Sequence, residues 1–259
     1  MPDAAPAQND ADVMVVNPQG QSSVVLVCEH ASHVIPPVFG NLGLADDALR
    51  SHVVWDPGAF GVAQSMSRRL NATLVAAGVS RLVYDCNRPP TAPDAMPEQS
   101  EAFSVPGNAH LTDAQRQHRV ETYYEPFRAS LAQTIANTTG PVIVTIHSFT
   151  PVYHGQKRAV DIGVLHDSDA RLADAMLQIA PRHTDAVVLR NEPYGPAHGV
   201  THTLKEHALR VGHLNVMLEI RNDLIQDAPQ QDAMAQRITT WLVAALADLQ
   251  VTGVVQCQA

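Results

Sequence analysis

The sequence predicts an α/β protein with a sheet covered on both faces by helices. Three observations carry this. From Val24 onward, short apolar runs alternate with longer amphipathic segments. The short runs are rich in Val, Ile and Leu and lack strict alternation, as strands buried on both faces do. Of 259 residues, 45% are apolar and 17% charged, which provides a sizeable core and makes disorder a poor default. At roughly 150 residues per domain, the length allows one large domain or two small ones. With neither an internal repeat nor a linker, one domain over 23–259 is the expectation.

The elements follow in chain order. Residues 1–22, rich in Ala, Asp, Asn, Gln and Pro, read as a flexible arm. Strands are expected at VVLVC (24–28), TLVAA (73–77), RLVYD (81–85), PVIVTI (141–146), AVDIGVL (159–165), AVVL (186–189) and LNVMLEI (214–220). Helices are expected between them. Residues 59–71 follow a glycine and place Phe60, Val62, Ala63, Met66 and Leu70 on one stripe. Residues 113–137 open with Thr112 and Gln115 at capping-box spacing, and Pro126 should kink or split this helix because it lacks an N–H. Residues 169–180 follow Ser168. Residues 229–249 open with Pro229 and repeat apolar groups at Met234, Ile238, Leu242, Ala245 and Leu249. His202 and His207 fall on a short helical stretch, THTLKEHALR. The Pro-rich stretch 88–110 is long for a loop inside a compact domain, and such loops are usually functional or mobile.

Composition excludes several classes of function. Acidic residues outnumber basic ones by 26 to 17, for a net charge of −9, which argues against binding nucleic acid or an anionic membrane. A small anionic substrate is still compatible, since a few arginines can hold one. No stretch approaches the ~20 apolar residues that cross a bilayer. The acidic N-terminus lacks the basic and apolar regions of a secretory signal. Three cysteines without CxxC spacing fit reduced thiols: Cys28 and Cys86 as small hydrophobes, Cys257 as a tail thiol. A cytoplasmic protein is expected; oligomeric state is not legible.

The unusual count is thirteen histidines, and their placement directs the functional reading. In open α/β sheets ligands bind beyond the carboxyl ends of the strands. The first run ends in Glu29, His30, Ala31, Ser32 and His33. RLVYD ends in Asp85, with Asn87 and Arg88 next, and PVIVTI ends in His147 and Ser148. The last run carries Glu219, then Arg221, Asn222 and Asp223. Four strands thus deliver ionisable groups at one end. Two histidines and a carboxylate can hold zinc and leave a position for water, and a further carboxylate can take that water's proton. Arginines can grip a substrate carboxylate in bidentate fashion. Asp56, in HVVWDPGA, is either a ligand or a turn residue before Pro57 and Gly58. Ser148 lacks a G-x-S-x-G context and is not read as a nucleophile.

The ordered set CEHAS (28–32), WDPGA (55–59), YDCNRP (84–89), IHSF (146–149), GVLHD (163–167), NEPY (191–194) and MLEIRNDLI (217–225) resembles the N-formylglutamate amidohydrolase family over about residues 24–250. That family is related in fold to zinc carboxypeptidases and aspartoacylases. The resemblance implies a three-layer fold with a mixed, mostly parallel sheet. It implies His30 and His147 as ligands of Zn2+ or another divalent ion and Glu219 as general base and acid. Asn87 and Arg88 would bind a substrate carboxylate or polarise the scissile carbonyl. The relatives' HxxE motif is absent, since His30, Ala31, Ser32 and His33 contain no Glu; the third ligand is then Asp56, with His33 as the alternative. Arg158, Arg221, Asn191 and Tyr194 complete the expected pocket, around a small anionic N-acyl amino acid. Glu29 points away from His30 on an extended strand and is read as supporting. A non-catalytic binding protein on the same fold remains the second reading.

Overall fold

In the computed structural model, which describes residues 13–251 and 253–255, seven strands form one sheet. They are β1 (Met14–Val16), β2 (Val24–Cys28), β3 (Thr73–Ala76), β4 (Val142–Phe149), β5 (Ile162–Leu165), β6 (Val188–Arg190) and β7 (Asn215–Arg221). Their spatial order is β1-β3-β2-β4-β7-β5-β6. The four central strands β3, β2, β4 and β7 run parallel, as do β5 and β6; β1 is antiparallel to β3, and β5 to β7.

The alternation of side chains along the strands splits the interior into two layers. Val24, Leu26, Val144, Ile146 and Leu218 pack on one face beneath helices α1 (Ala59–Leu70), α4 (Arg171–Ile179) and α6 (Ala228–Asp248). Val25, Val27, Ile143 and Met217 face the other way. They lie under α2 (Asp113–Arg119), α3 (Glu125–Asn137), α5 (His202–His207) and the irregular segment 77–110. The architecture is the expected three-layer one. Among the described residues, no helix is long and apolar enough to cross a membrane.

Local chemistry sets the helix ends. Thr112 accepts from the Gln115 amide and Gln115 reaches back, closing a capping box. Between α2 and α3, residues Val120–Tyr124 adopt a π turn just before Pro126, which cannot donate to the preceding turn. The Asp227 side chain caps α6 at Gln230. Gly58 starts α1 at φ +83°, and a Cβ there would lie 2.4 Å from the Ile225 carbonyl oxygen, so only glycine fits. Trp241 of α6 is fully buried and donates its indole N–H to the Met176 carbonyl at 2.8 Å, joining α6 to α4. Trp241→Ala is expected to cost about 3–5 kcal/mol, read as a lower urea midpoint; an unchanged midpoint would show that this contact is dispensable.

Two expectations are corrected. Residues 81–85 form no strand: Val83 and Tyr84 donate to the Ser80 carbonyl in successive turns. Leu82, Val83 and Tyr84 are buried all the same. The edge of β3 that such a strand would need is occupied by Met14–Val16. Hence the second correction: the sheet begins at residue 14, inside the expected arm, and Asn17 fastens this segment to Asn71 at 3.0 Å. Residues 1–12 of the arm and Cys257 lie outside the described residues. The stretch 88–110 folds as short turns and a two-residue hairpin (Gln99–Ser100 with Phe103–Ser104). Buried Arg119 anchors it through Asn108 Oδ1 at 2.7 Å and the Gly107 carbonyl.

Candidate active site

Parallel register brings the site together. Glu219 of β7 lies directly opposite His147 of β4. The β2–β4 register pairs Val27 with Thr145, which sets Glu29 beside His147 one step past the end of β2. At that step the chain turns, so His30 swings back toward the cluster instead of alternating away from it. The Asp56 amide donates to the His30 carbonyl at 3.0 Å, fixing the next loop against this turn.

Three ligand-type atoms converge. His30 Nδ1 and His147 Nδ1 stand 3.2 Å apart; Asp56 Oδ2 lies 3.2 Å from the first and 3.0 Å from the second. All three residues are buried. Tetrahedral N/O ligands about 2.0–2.1 Å from zinc lie roughly 3.3 Å apart, close to the edges of this triangle. Behind each imidazole stands a carboxylate. His30 Nε2 donates to Asp85 Oδ1 at 2.7 Å. His147 Nε2 is 3.1 Å from Glu29 Oε2, an ion-pair distance with poor hydrogen-bond alignment. With the ring protons on Nε2, facing these carboxylates, both Nδ1 lone pairs face inward, the arrangement that holds a metal-binding histidine in the right tautomer. Asp56 Oδ2 also accepts the Ser148 amide at 3.2 Å.

Arg81 spans the two aspartates, 3.4 Å from Asp56 Oδ1 and 3.0 Å from Asp85 Oδ2. Burial raises the Asp56 pKa, but the facing imidazoles outweigh it and hold the carboxyl far below the ordinary range. Burial likewise works against Asp85 and Glu29, and the adjacent imidazoles keep both ionised. Burial lowers the pKa of both imidazoles, but the carboxylates around them outweigh it and raise both; a divalent cation with both rings neutral would balance the same two excess negative charges of three carboxylates against one guanidinium. Glu219 behaves differently. Burial pushes it up to about 7; His147 and His30 pull it back, and Asp56 adds to the rise. Its Oε2 has no hydrogen-bond partner. A carboxylate poised near neutrality beside a candidate ion site is suited to moving protons.

A cavity of about 320 Å³ opens onto these groups, with His30, Asp56, His147, Glu219, Asn87, Arg88 and Tyr194 in its wall. The Asn87 carboxamide donates to the Val200 carbonyl at 2.6 Å and accepts the Thr203 amide at 3.0 Å, and these bonds hold the wall in shape. Arg158 stands behind the wall, donating to the Tyr194 hydroxyl at 2.9 Å. Two further expected pocket residues also do not line the cavity. Arg221 is tied to Asp161 and Asp223, and Asn191 holds a turn at φ +49° and accepts the His166 amide. His33, the alternative ligand, is exposed against Trp55. His202 is bonded to Tyr124 at 2.7 Å. The sequence reading left Arg81 and Asp85 without a role and named Glu29 as supporting without its partner, His147. Asp85 and Glu29 each carried a signal, as a carboxylate at the end of an apolar run.

A mostly parallel α/β sheet that delivers two imidazoles, an acidic carboxyl and one raised to near neutrality to a single cavity carries the groups that amide hydrolysis uses. The chain belongs to the N-formylglutamate amidohydrolase family, whose model matches residues 22–226, and it is accordingly a hydrolase acting on amide bonds. It is similar to the gene product Atu2144 of Agrobacterium tumefaciens, with 51% identity and a TM-score of 0.90 over 92% of this chain and 96% of that one. The crystal structure of N-formylglutamate amidohydrolase from Ralstonia eutropha JMP134 shares the fold, with a TM-score of 0.56 and 19% identity over 93% of this chain and 97% of that one. No curated protein matches.

Proposed function

We propose that this protein hydrolyses the amide bond of an N-formyl or other N-acyl amino acid, the class that includes N-formyl-L-glutamate, and that a divalent cation, zinc by expectation, sits on His30, Asp56 and His147. The convergence of two Nδ1 atoms and Asp56 Oδ2, each imidazole backed by a carboxylate, is the observation that carries this reading. A cation held there supplies Lewis-acid polarisation of the acyl oxygen and lowers the pKa of water toward ~7.

The chain's own residues do the rest. Glu219 accepts a proton as water attacks the acyl carbon, then returns it to the nitrogen as the C–N bond breaks. The products are formate, or the corresponding acid, and the free amino acid. Arg81, in the cavity wall beside Asp56, presents positive charge to the oxygen that becomes anionic. Arg88 binds the substrate carboxylate. The unpaired buried thiols Cys28 and Cys86 fit the cytoplasm, where we place the protein.

Incubation with N-formyl and N-acetyl amino acids tests the reading: formate or acetate is expected to appear with the free amine. No turnover of any such amide would contradict it. Asp85→Asn removes the anion that orients His30 and is expected to weaken divalent-ion affinity about 10–100-fold in a chelator competition. Unaltered affinity would remove Asp85 from that role.

A further inference from the structure

Several hydroxyls line the cavity, and their hydrogen bonds set one of them apart. Ser148 donates to the Pro57 carbonyl at 2.8 Å, and Thr150 donates to the Val152 carbonyl at 2.9 Å. Tyr194 does the reverse. Its oxygen accepts from Arg158 Nη2 at 2.9 Å, and its hydrogen meets no acceptor among the described residues. Tyr194 shares the wall with Glu219, Asp56 and Arg81.

Arg158 accounts for the direction of that hydrogen. Its guanidinium lies 5.3 Å from the Phe149 ring, 4.6 Å from Tyr153 and 4.9 Å from Tyr194. These rings line the cavity and Arg158 does not, so its charge reaches the site through the Tyr194 hydroxyl. Among the described residues no carboxylate pairs with Arg158, and its Nη1 is buried without a hydrogen bond. A cation without a counter-charge at the phenol oxygen turns the O–H away from itself and strengthens it as a donor. Burial raises the pKa of this hydroxyl and Glu219 adds to the rise; Arg158 and Arg81 offset it only in part, so the phenol keeps its proton. The hydroxyl therefore feels both the proton-accepting Glu219 and Arg81, at the reacting end of the cavity.

We infer that Tyr194 is a catalytic residue whose hydroxyl donates a hydrogen bond to the acyl oxygen as that oxygen becomes anionic, and that Arg158 is the positioning residue that aims it. The proton stays on Tyr194 throughout. The inference rests on the amide-hydrolase reading above and adds a donor beside Arg81, whose charge is shared with Asp56 and Asp85.

Tyr194→Phe keeps the ring beside Arg158 and removes only the donor. With N-formyl-L-glutamate, or whichever N-formyl amino acid the wild type cleaves fastest, kcat is expected to fall about 10²–10³-fold. KM should stay within about threefold, because the bond forms only in the transition state. On the Glu219→Gln protein, calorimetry should give the same substrate Kd with and without Tyr194→Phe. Arg158→Met keeps the apolar stem and is expected to lower kcat about tenfold; added to Tyr194→Phe it should cost nothing further, since Arg158 acts through the hydroxyl. An unaffected kcat in Tyr194→Phe, or a loss carried by KM and Kd instead, would overturn the inference. Losses that multiply in the double variant would overturn the role of Arg158. A wild type that cleaves no N-acyl amino acid overturns the amide-hydrolase reading together with the inference; a wild type that turns over normally beside an unaffected Tyr194→Phe protein overturns the inference alone.

Discussion

Glu219→Gln is expected to lower kcat/KM about 10²–10⁴-fold while leaving the fold and bound metal unchanged. The replacement keeps the size and the hydrogen-bonding shape of the side chain and removes its ability to accept a proton. In the wild type, burial pushes Glu219 up to about 7, so kcat/KM should rise with pH through a limb near that value, and the variant should lose the limb. The sign for stability is opposite. A folded-state pKa above the unfolded one means that the stabilisation is fully present below pH ~4.5 and disappears as pH rises through about 7. Glu219→Gln at pH 8 should therefore unfold at an equal or higher temperature than the wild type. A variant with near-normal turnover and an intact pH limb would take Glu219 out of the reaction.

His147→Ala is expected to abolish metal binding and to destabilise the chain by about 3–5 kcal/mol, because Glu29 is left as a buried carboxylate without its partner. These two effects separate. Adding Glu29→Gln to His147→Ala removes the stranded charge, so urea unfolding should recover most of the lost stability while metal content stays at zero. If the single substitution were harmless, the pair would carry no weight in the fold. If the double variant regained the metal, His147 would not be a ligand.

The parts of this site that were legible in the sequence share a physical reason. Apolar strands announce themselves, and an ionisable residue at the end of such a run has few structural excuses, so His30, His147 and Glu219 stood out. Asp56 was readable only with the family's motif in view, since a carboxylate before Pro-Gly is equally a turn residue. Arg81 and the role of Asp85 were hidden because 81–85 has the composition of a strand. Whether it forms one depends on whether an edge of β3 is free, and Met14–Val16, well over sixty residues earlier, decides that. Arg221 misled for a related reason. It shares a strand and a face with Glu219, yet lies beyond the cavity, where Asp161 and Asp223 claim it. Strand alternation gives the face of a side chain; it does not give the partner it meets.

The most direct measurement of the central claim is the metal content of the dialysed wild type, Asp56→Ala and His30→Ala proteins, each paired with an amide-hydrolysis assay after chelation and add-back. One divalent ion per wild-type chain, none in either variant, and activity that chelation removes and the ion restores are expected. A metal-free wild-type chain that hydrolyses its substrate at the full rate would contradict the account.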